Sequence, residues 1–326
     1  MKQRFEAQAV PPDSQLWLEG TRDHRWLSGD VVRLAHTPEH PCTTYVHPAY
    51  AACEYPLKLN LFSFGKCRLH LPFTVVAPPI SVDRAGFSGN LDALLCDYRR
   101  RRGLFLLLNL REEDLPAPGR VAVGNTLPGC VFENRFDSFA HYLSALRSHY
   151  RRRIKLACER GGALQVRPVP PGAFDQPLYQ LYLQVLSRSD FPLETLPLRF
   201  FQQCGCHIDA FYHQDRPLAF VMYDIDTKDN QLDFLFGGMS YPHRDIFDLY
   251  QNMLLHLLAV GIRRQVRRIN LGQTAETTKC RMGCILEPRY MIAFGGNRPA
   301  TALLRLFAPL LQNNQKIIEH HVFKSD

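Results

Sequence analysis

The sequence predicts a mixed α/β protein of two domains, and three observations predict it. Its 326 residues exceed one domain of about 150 residues. Short apolar runs of strand length alternate with segments whose apolar residues recur every three to four positions. A Pro- and Gly-rich break (Pro116, Pro118, Gly119, Pro128-Gly129) coincides with a shift in charge: residues 1–130 carry 15 basic and 13 acidic residues, residues 131–326 carry 24 and 18. The boundary is expected near residue 130, with an N-terminal α/β domain over 1–130 and a C-terminal domain over 131–326.

The first forty residues are polar and aperiodic. Cys67–Val76 then reads as a strand running into Pro78-Pro79. Leu91–Arg102 reads as a helix with Asn90 as N-cap and Gly103 as its stop. Leu104–Leu110 is a continuous apolar run, as in a central strand buried on both faces, and the three together form a β-α-β unit. Past the break, Phe139, Leu143, Leu146, Tyr150, Ile154 and Ala157 recur on one stripe, predicting a single long helix capped by Asp137 and ended by Gly161-Gly162. A strand over Ala163–Val169, a helix over Gln176–Ser187 and a short helix over Leu198–Cys204 follow. Strands are expected at Ile208–His213, Leu218–Ile225 and Leu232–Gly237, joined by turns at Asp215-Arg216-Pro217 and Lys228-Asp229-Asn230. A helix over Ile246–Val260, preceded by Asp245 and ended by Gly261, leads to a strand at Arg268–Leu271 and then to Gly272-Gln273-Thr274.

With 46% hydrophobic and 21% charged residues, the composition excludes a disordered chain. A chain of this length buries about three quarters of its unfolded surface and needs neither disulfide nor metal to hold a core. The net charge of +8 and pI near 9.0 favour phosphate-bearing partners. No run of 18 apolar residues occurs, so no membrane span is expected. The first twenty residues lack the apolar core of a secretory signal, and the ten cysteines are expected as reduced thiols in the cytoplasm. No Cys-x2-Cys is present. The nearest approaches to a metal site, Cys204-Gly-Cys206-His207 and the Cys280/Cys284 pair, lack the paired knuckles of zinc sites, and no metal is expected.

Three features of the second half resemble the GNAT superfamily of N-acyltransferases, in its Fem-related branch. They are the basic helix Ser148–Lys155, the pairing of Phe234–Gly238 with Tyr250–Gly261, and the segment Asn270-Leu271-Gly272-Gln273-Thr274-Ala275-Glu276-Thr277-Thr278-Lys279-Cys280-Arg281-Met282-Gly283. The resemblance covers roughly residues 135–295. It implies tandem GNAT-like folds and transfer of an acyl or aminoacyl group from an activated ester or thioester to an amine. Gly237–Arg244 departs from the Arg/Gln-x-x-Gly-x-Gly/Ala loop by which CoA-dependent members hold pyrophosphate. The implied donor is therefore acyl-CoA, an acyl carrier protein or aminoacyl-tRNA, with no tightly bound cofactor.

Acyl transfer needs a held donor, a deprotonated amine, a stabilised oxyanion and a protonated leaving group. Gly272–Gly283 is the candidate active edge. A strand ending in glycine lets a ligand approach the backbone, Gln273 supplies a polar group there, Glu276 is a candidate proton acceptor, and Lys279 and Arg281 are candidate anion holders. The alternative is a capped turn with Glu276 and Lys279 as a solvated pair. Asp248 is a candidate to bind or deprotonate the amine and Tyr250 to protonate the leaving group; a plain helix start and a core residue are the alternatives, and Asp245 reads as the N-cap. Arg151, Arg152, Lys155, Arg244 and Arg281 are candidates for donor phosphates, against a solvated basic face. Cys280, between Lys279 and Arg281, is a candidate nucleophile without an evident base. The sequence lacks G-x-S-x-G, P-loop and H-E-x-x-H motifs.

Two further readings stand beside an N-acyltransferase. An aminoacyl-tRNA-dependent amide-forming enzyme suits the charge of the second half, although no aromatics interleave its basic runs. A non-catalytic GNAT-like module binding a carrier protein, peptide or nucleic acid suits the missing pyrophosphate loop.

Overall fold

The computed structural model describes residues 25–64, 67–80, 82–170, 172–189, 195–311 and 320–324; the expectations for residues 1–24 lie outside them. The chain forms two compact units. One comprises residues 1–80, 84–126 and 288–314, the other residues 81–83, 127–287 and 315–326.

The chain enters the first unit through α1 (Gly29–Ala35), capped by Ser28, and a pair of strands, β1 (Thr43–His47) and β2 (Tyr50–Phe64). β3 (Cys67–Val76), β4 (Phe87–Gly89), α2 (Leu91–Tyr98), β5 (Leu104–Leu110) and β6 (Ala122–Asn125) follow. Asn90 caps α2, its Oδ1 accepting from the Ala93 N–H at 2.9 Å. The β-α-β unit is present, with β3 and β5 parallel from Phe73 opposite Leu104 onward. α2 stops at Tyr98, four residues short of the expected end, and Arg99–Arg102 form a turn. β5 is buried on both faces. Phe105 and Leu107 pack with α2 residues Leu94, Leu95 and Tyr98, while Leu106 packs with Phe73 and Val75. That is the period-two alternation of a strand between two apolar layers.

The second unit begins with β7 (Gly129–Glu133). The single long helix expected over 137–157 is two helices, α3 (Phe139–Ala145), capped by Ser138 rather than Asp137, and α4 (Ser148–Arg160). The break lies at Leu146, which is extended with ψ 142° and bridges to Phe323, while the Arg147 N–H donates to Val322 O at 2.9 Å. A tertiary strand-like pairing has overridden the helical period. β8 (Gln165–Pro168), α5 (Gln176–Leu186), α6 (Leu198–Gln203), β9 (His207–His213), β10 (Arg216–Asp226) and β11 (Gln231–Met239) follow close to expectation. α7 (Leu249–Arg263), β12 (Arg268–Asn270), α8 (Glu276–Cys280) and β13 (Ile285–Glu287) complete the unit. The seven strands run β13-β7-β12-β11-β10-β9-β8. β11 and β12 are parallel across α7, and the other pairs are antiparallel.

α7 starts and ends three residues later than expected. Asp245 is not its cap but an exposed partner of Arg244. Gly261 does not stop the helix. It sits inside it because a Cβ there would lie 2.4 Å from the Ile269 side chain, so the glycine lets α7 press onto β12. Leu249, Met253, Leu254, Leu257 and Leu258 of α7 cover one face of the sheet against Ala219, Val221 and Tyr223. Phe174, Tyr182, Phe200 and Phe201 pack edge-on against Phe220 and Phe236 on the alternate positions, with Phe174 stacked on Phe201.

The expectation assigned everything after residue 130 to the second domain. The structure instead returns β14 (Tyr290–Gly295) to the first unit, where it lies between β5 and β6, followed by α9 (Arg298–Leu311), which packs on β14 and β6. The fold class expected from the sequence, α/β with a mixed sheet in each of two tandem units, is the class observed.

Candidate functional site

The candidate edge in the second unit is organised by a buried amide. Asn270 ends β12, and its Nδ2 donates to Asp83 Oδ1 at 2.6 Å and to Asp233 Oδ1 at 3.0 Å, while its Oδ1 accepts from the Gly272 N–H at 2.9 Å. Gln231 adds a 2.7 Å hydrogen bond to Asp233. All three members of the Asp83–Asn270–Asp233 set are buried, so each hydrogen bond stands in for one lost to water. Directly after them the backbone turns left-handed at Gly272 (φ 72°), Thr274 (62°) and Ala275 (51°). Two non-glycine residues in this region cost about 1–2 kcal/mol each, and surrounding hydrogen bonds hold them there. The Cys130 N–H donates to Gly272 O at 3.0 Å, and Gln273 Nε2 donates to Leu127 O.

Lys279 reaches back from α8 to the same turn. Its Nζ donates to Gly272 O at 3.2 Å and to Gln273 O at 2.7 Å, and the residue is only 2% exposed. The solvated Glu276–Lys279 pair is therefore not formed; the lysine faces inward. Burial pushes its pKa down, opposed by Cys130, Cys284, Glu276 and Asp83. The same burial pushes the Cys130 thiol up to about 12 and the Cys284 and Cys280 thiols up as well. Cys280 is thus held away from the thiolate despite its basic neighbours.

Tyr250, in the first turn of α7, joins this group. Burial raises its phenol, with Cys130, Cys284 and Glu276 near enough to add to the effect. Gln273, Glu276 and Lys279 are accordingly brought together around one turn, and Tyr250 lies near enough to Glu276 to feel its charge. Asp248 is not part of that set. It precedes α7 in the left-handed region (φ 45°), makes no cap bond, and pairs with Arg160 of α4 at 3.1 Å.

Where α4, α7 and α8 meet, Tyr150, Arg153, Ile154, Gln251, Thr278, Arg281 and Met282 line a shallow cleft of about 20 Å³, room for one water. Arg281 enters it as a candidate, and Arg153 supplies the contribution of α4. Arg151, Arg152 and Lys155 flank Arg153 on that helix, Arg152 and Lys155 exposed and Arg151 half-buried. Among the described residues none of these five basic side chains forms an ion pair. Arg244, by contrast, is exposed and pairs with Asp245 at 2.8 and 3.0 Å.

Sequence reasoning placed Arg153 only beside the basic face of α4, and missed Gln251, Thr278 and the Asp83–Asn270–Asp233 set. The signal for Arg153 was available: Tyr150, Arg153 and Ile154 share a helix face at i, i+3 and i+4, and Ile154 belongs to the apolar stripe. Among the described residues no group of His, Cys, Asp and Glu is arranged to hold a metal. No described helix is long and apolar enough to cross a membrane.

No protein-family model matches the chain, and no curated protein matches it. Solved structures do. The C-terminal domain of a candidate lysylphosphatidylglycerol synthetase from Agrobacterium fabrum aligns at 11% identity and TM-score 0.53, over 83% of this chain and 89% of its own. L-PGS from Bacillus licheniformis aligns at 12% identity and TM-score 0.53, over 84% and 90%. A conserved protein of unknown function from Bacteroides thetaiotaomicron aligns at 11% identity and TM-score 0.50, over 78% and 86%. These likenesses show a shared fold spanning both units.

Proposed function

We propose that the protein is an acyl- or aminoacyltransferase of the GNAT type, in its Fem-related branch, moving an activated acyl group to an amine. The observation that carries the reading is the cleft: two guanidinium groups without carboxylate partners among the described residues, Arg153 and Arg281, open where α4, α7 and α8 meet. Unneutralised arginines at a polar cleft suit phosphate, and acyl-CoA, phosphopantetheinylated carrier protein and aminoacyl-tRNA all present phosphate next to a reactive carbonyl. Arg151, Arg152 and Lys155 extend the phosphate-holding face along α4, whereas Arg244 is already held by Asp245.

In this reading the incoming amine loses its proton to Glu276, attacks the carbonyl carbon, and the tetrahedral oxyanion collapses with release of the thiol or ribose hydroxyl. Tyr250, kept protonated by burial, donates to that leaving group. Gln273 and Lys279 fix the turn against which the carbonyl is positioned, and Asp248 orients Arg160 and the start of α7. Positioning of this kind supplies several kcal/mol of barrier lowering without covalent catalysis.

A second reading is favoured by the shared fold with the lysylphosphatidylglycerol synthetase domain: aminoacyl-tRNA as donor and a hydroxyl of an anionic lipid as acceptor. The experiment is a thermal-shift and transfer screen with CoA, acyl-CoA, acyl carrier protein and aminoacyl-tRNA, each at low and high salt. Binding at about 100 times Kd adds roughly 2.7 kcal/mol of stability. The parent is expected to bind one donor class, and Arg153→Ala/Arg281→Ala to lose that binding and flatten its salt slope by roughly one unit per contact. Glu276→Gln is expected to keep donor binding and lose about 10²- to 10⁴-fold in kcat. Binding without turnover for any acceptor assigns the chain to the non-catalytic class instead.

A further inference from the structure

β5 begins at Leu104 opposite Gly295, where β14 ends, and Ala122 at the start of β6 lies opposite Ala293. The segments before β5, before β6 and after β14 therefore meet at one end of the first unit's sheet. Hydrogen bonds join them: the Gly296 N–H donates to Gly103 O at 3.0 Å, Arg305 Nη1 to Gly119 O at 3.1 Å, and Arg99 Nη2 to Arg120 O at 2.8 Å. Seven arginines are gathered there. Arg101 is taken by Glu54 and Arg120 by Asp92. Arg99, Arg100, Arg102, Arg298 and Arg305 have no carboxylate partner among the described residues. The acidic run Glu112–Asp114 follows the opposite end of β5, roughly 23 Å away at about 3.3 Å per residue.

The helix at this basic end is turned the wrong way for water. Leu304 is buried against the sheet, but Leu303 is 55% and Leu306 72% exposed, one turn apart on α9, and Val123 on the neighbouring β6 is 39% exposed. Single exposed leucines are ordinary. Two on one helix, flanked by Arg298 and Arg305 and next to three further unpaired arginines, form the pattern of a helix lying in a lipid interface, apolar side chains among acyl chains and guanidinium groups at phosphate depth. We propose that this end of the first unit is a docking surface for an anionic lipid bilayer. A phosphodiester chain would satisfy the arginines and leave the leucines in water; a lipid surface satisfies both. The proposal concerns residues outside the candidate transfer site and stands or falls separately from it.

The test is co-sedimentation of the whole chain with vesicles of phosphatidylglycerol and phosphatidylcholine, or of phosphatidylcholine alone, at about 0.01 M and about 1 M salt, where screening lengths differ about tenfold. Thermal midpoints of all variants are measured alongside. The parent is expected to sediment with the anionic vesicles at low salt only. Leu303→Glu/Leu306→Glu and Arg100→Glu/Arg102→Glu, with parental thermal midpoints, should each weaken that association at least about tenfold. A charge-matched control on the second unit, Arg216→Glu/Lys228→Glu, should bind as the parent does. Equal binding to neutral vesicles, parental binding by the leucine variant, or an equal loss in the control would overturn the proposal. So would an Arg100- and Arg102-dependent association with a short RNA duplex by a protein that ignores the vesicles.

Discussion

A buried ammonium is tolerated when its donors are met. Lys279 meets two carbonyls of a turn that contains two strained non-glycine residues. Its depressed folded-state pKa makes stability depend on pH. Between that lowered value and the ordinary value of about 10.4, the unfolded chain holds more protons than the native one, so stability rises with pH across this window. Lys279→Met should abolish the rise, as read by urea denaturation at successive pH values, and also take the ammonium donor from Gln273 O, at about 1–3 kcal/mol, while Gly272 O keeps the Cys130 N–H. Asp209 behaves oppositely. Burial disfavours its charge, but hydrogen bonds shared with His256 (2.8 Å) and received from Tyr223 (3.0 Å) outweigh that and lower its pKa. Its contribution is present above about pH 3.9 and lost as pH falls through the depressed value. Asp209→Asn should flatten the acid limb of the stability profile; an unchanged limb would show that this carboxylate is not what acid titrates. The sequence made Lys279 visible as part of a polar segment but not its direction, because on a five-residue helix an i, i+3 spacing does not say which face is inside.

At the scale of elements, Gly238 sets how closely α5 approaches β11. A Cβ there would fall 2.7 Å from the backbone of Leu181 and Tyr182, atoms that no rotamer change can move. Gly238→Ala should therefore cost about 1–3 kcal/mol or more in thermal or urea unfolding. Gly162→Ala, whose Cβ would meet nothing within 4 Å, should stay within about 0.5 kcal/mol. Elements fixed by local chemistry were legible: the Asn90 cap, the doubly buried β5, and the hairpin strands β9, β10 and β11, although the first turn is Gln214-Asp215 and the expected turn residues Arg216 and Pro217 already belong to β10. Elements decided by distant partners were not. Leu146 sits on an unbroken apolar stripe, yet its backbone pairs with Phe323. Gly261 looks like a helix stop until Ile269 is seen against it. β1 and β2 are built on sequence with no clean alternation, which the hydrogen-bonded register from Thr43–Glu54 to His47–Tyr50 supplies instead.

At the scale of the whole molecule, proline, glycine and charge led to an expected boundary near residue 130, and nothing of that kind signals the return of residues 288–314 to the first unit. Tyr290–Gly295 is one more short apolar run in a chain full of them, and nothing local says which sheet it joins. Among the described residues β6 reaches its sheet only through β14, pairing Ala122 with Ala293 and Asn125 with Tyr290. A fragment ending at residue 126 should accordingly lack a cooperative thermal transition; a sharp transition there would show that β14 is dispensable.

That interleaving also sets a schedule for synthesis. At about 5–20 residues per second, roughly 160 residues separate the appearance of β6 from that of β14, a delay of some ten to thirty seconds. During it β5 presents an apolar edge that its own sheet cannot yet close. The nascent first unit is thus a natural client for a chaperone, and its maturation waits on the second.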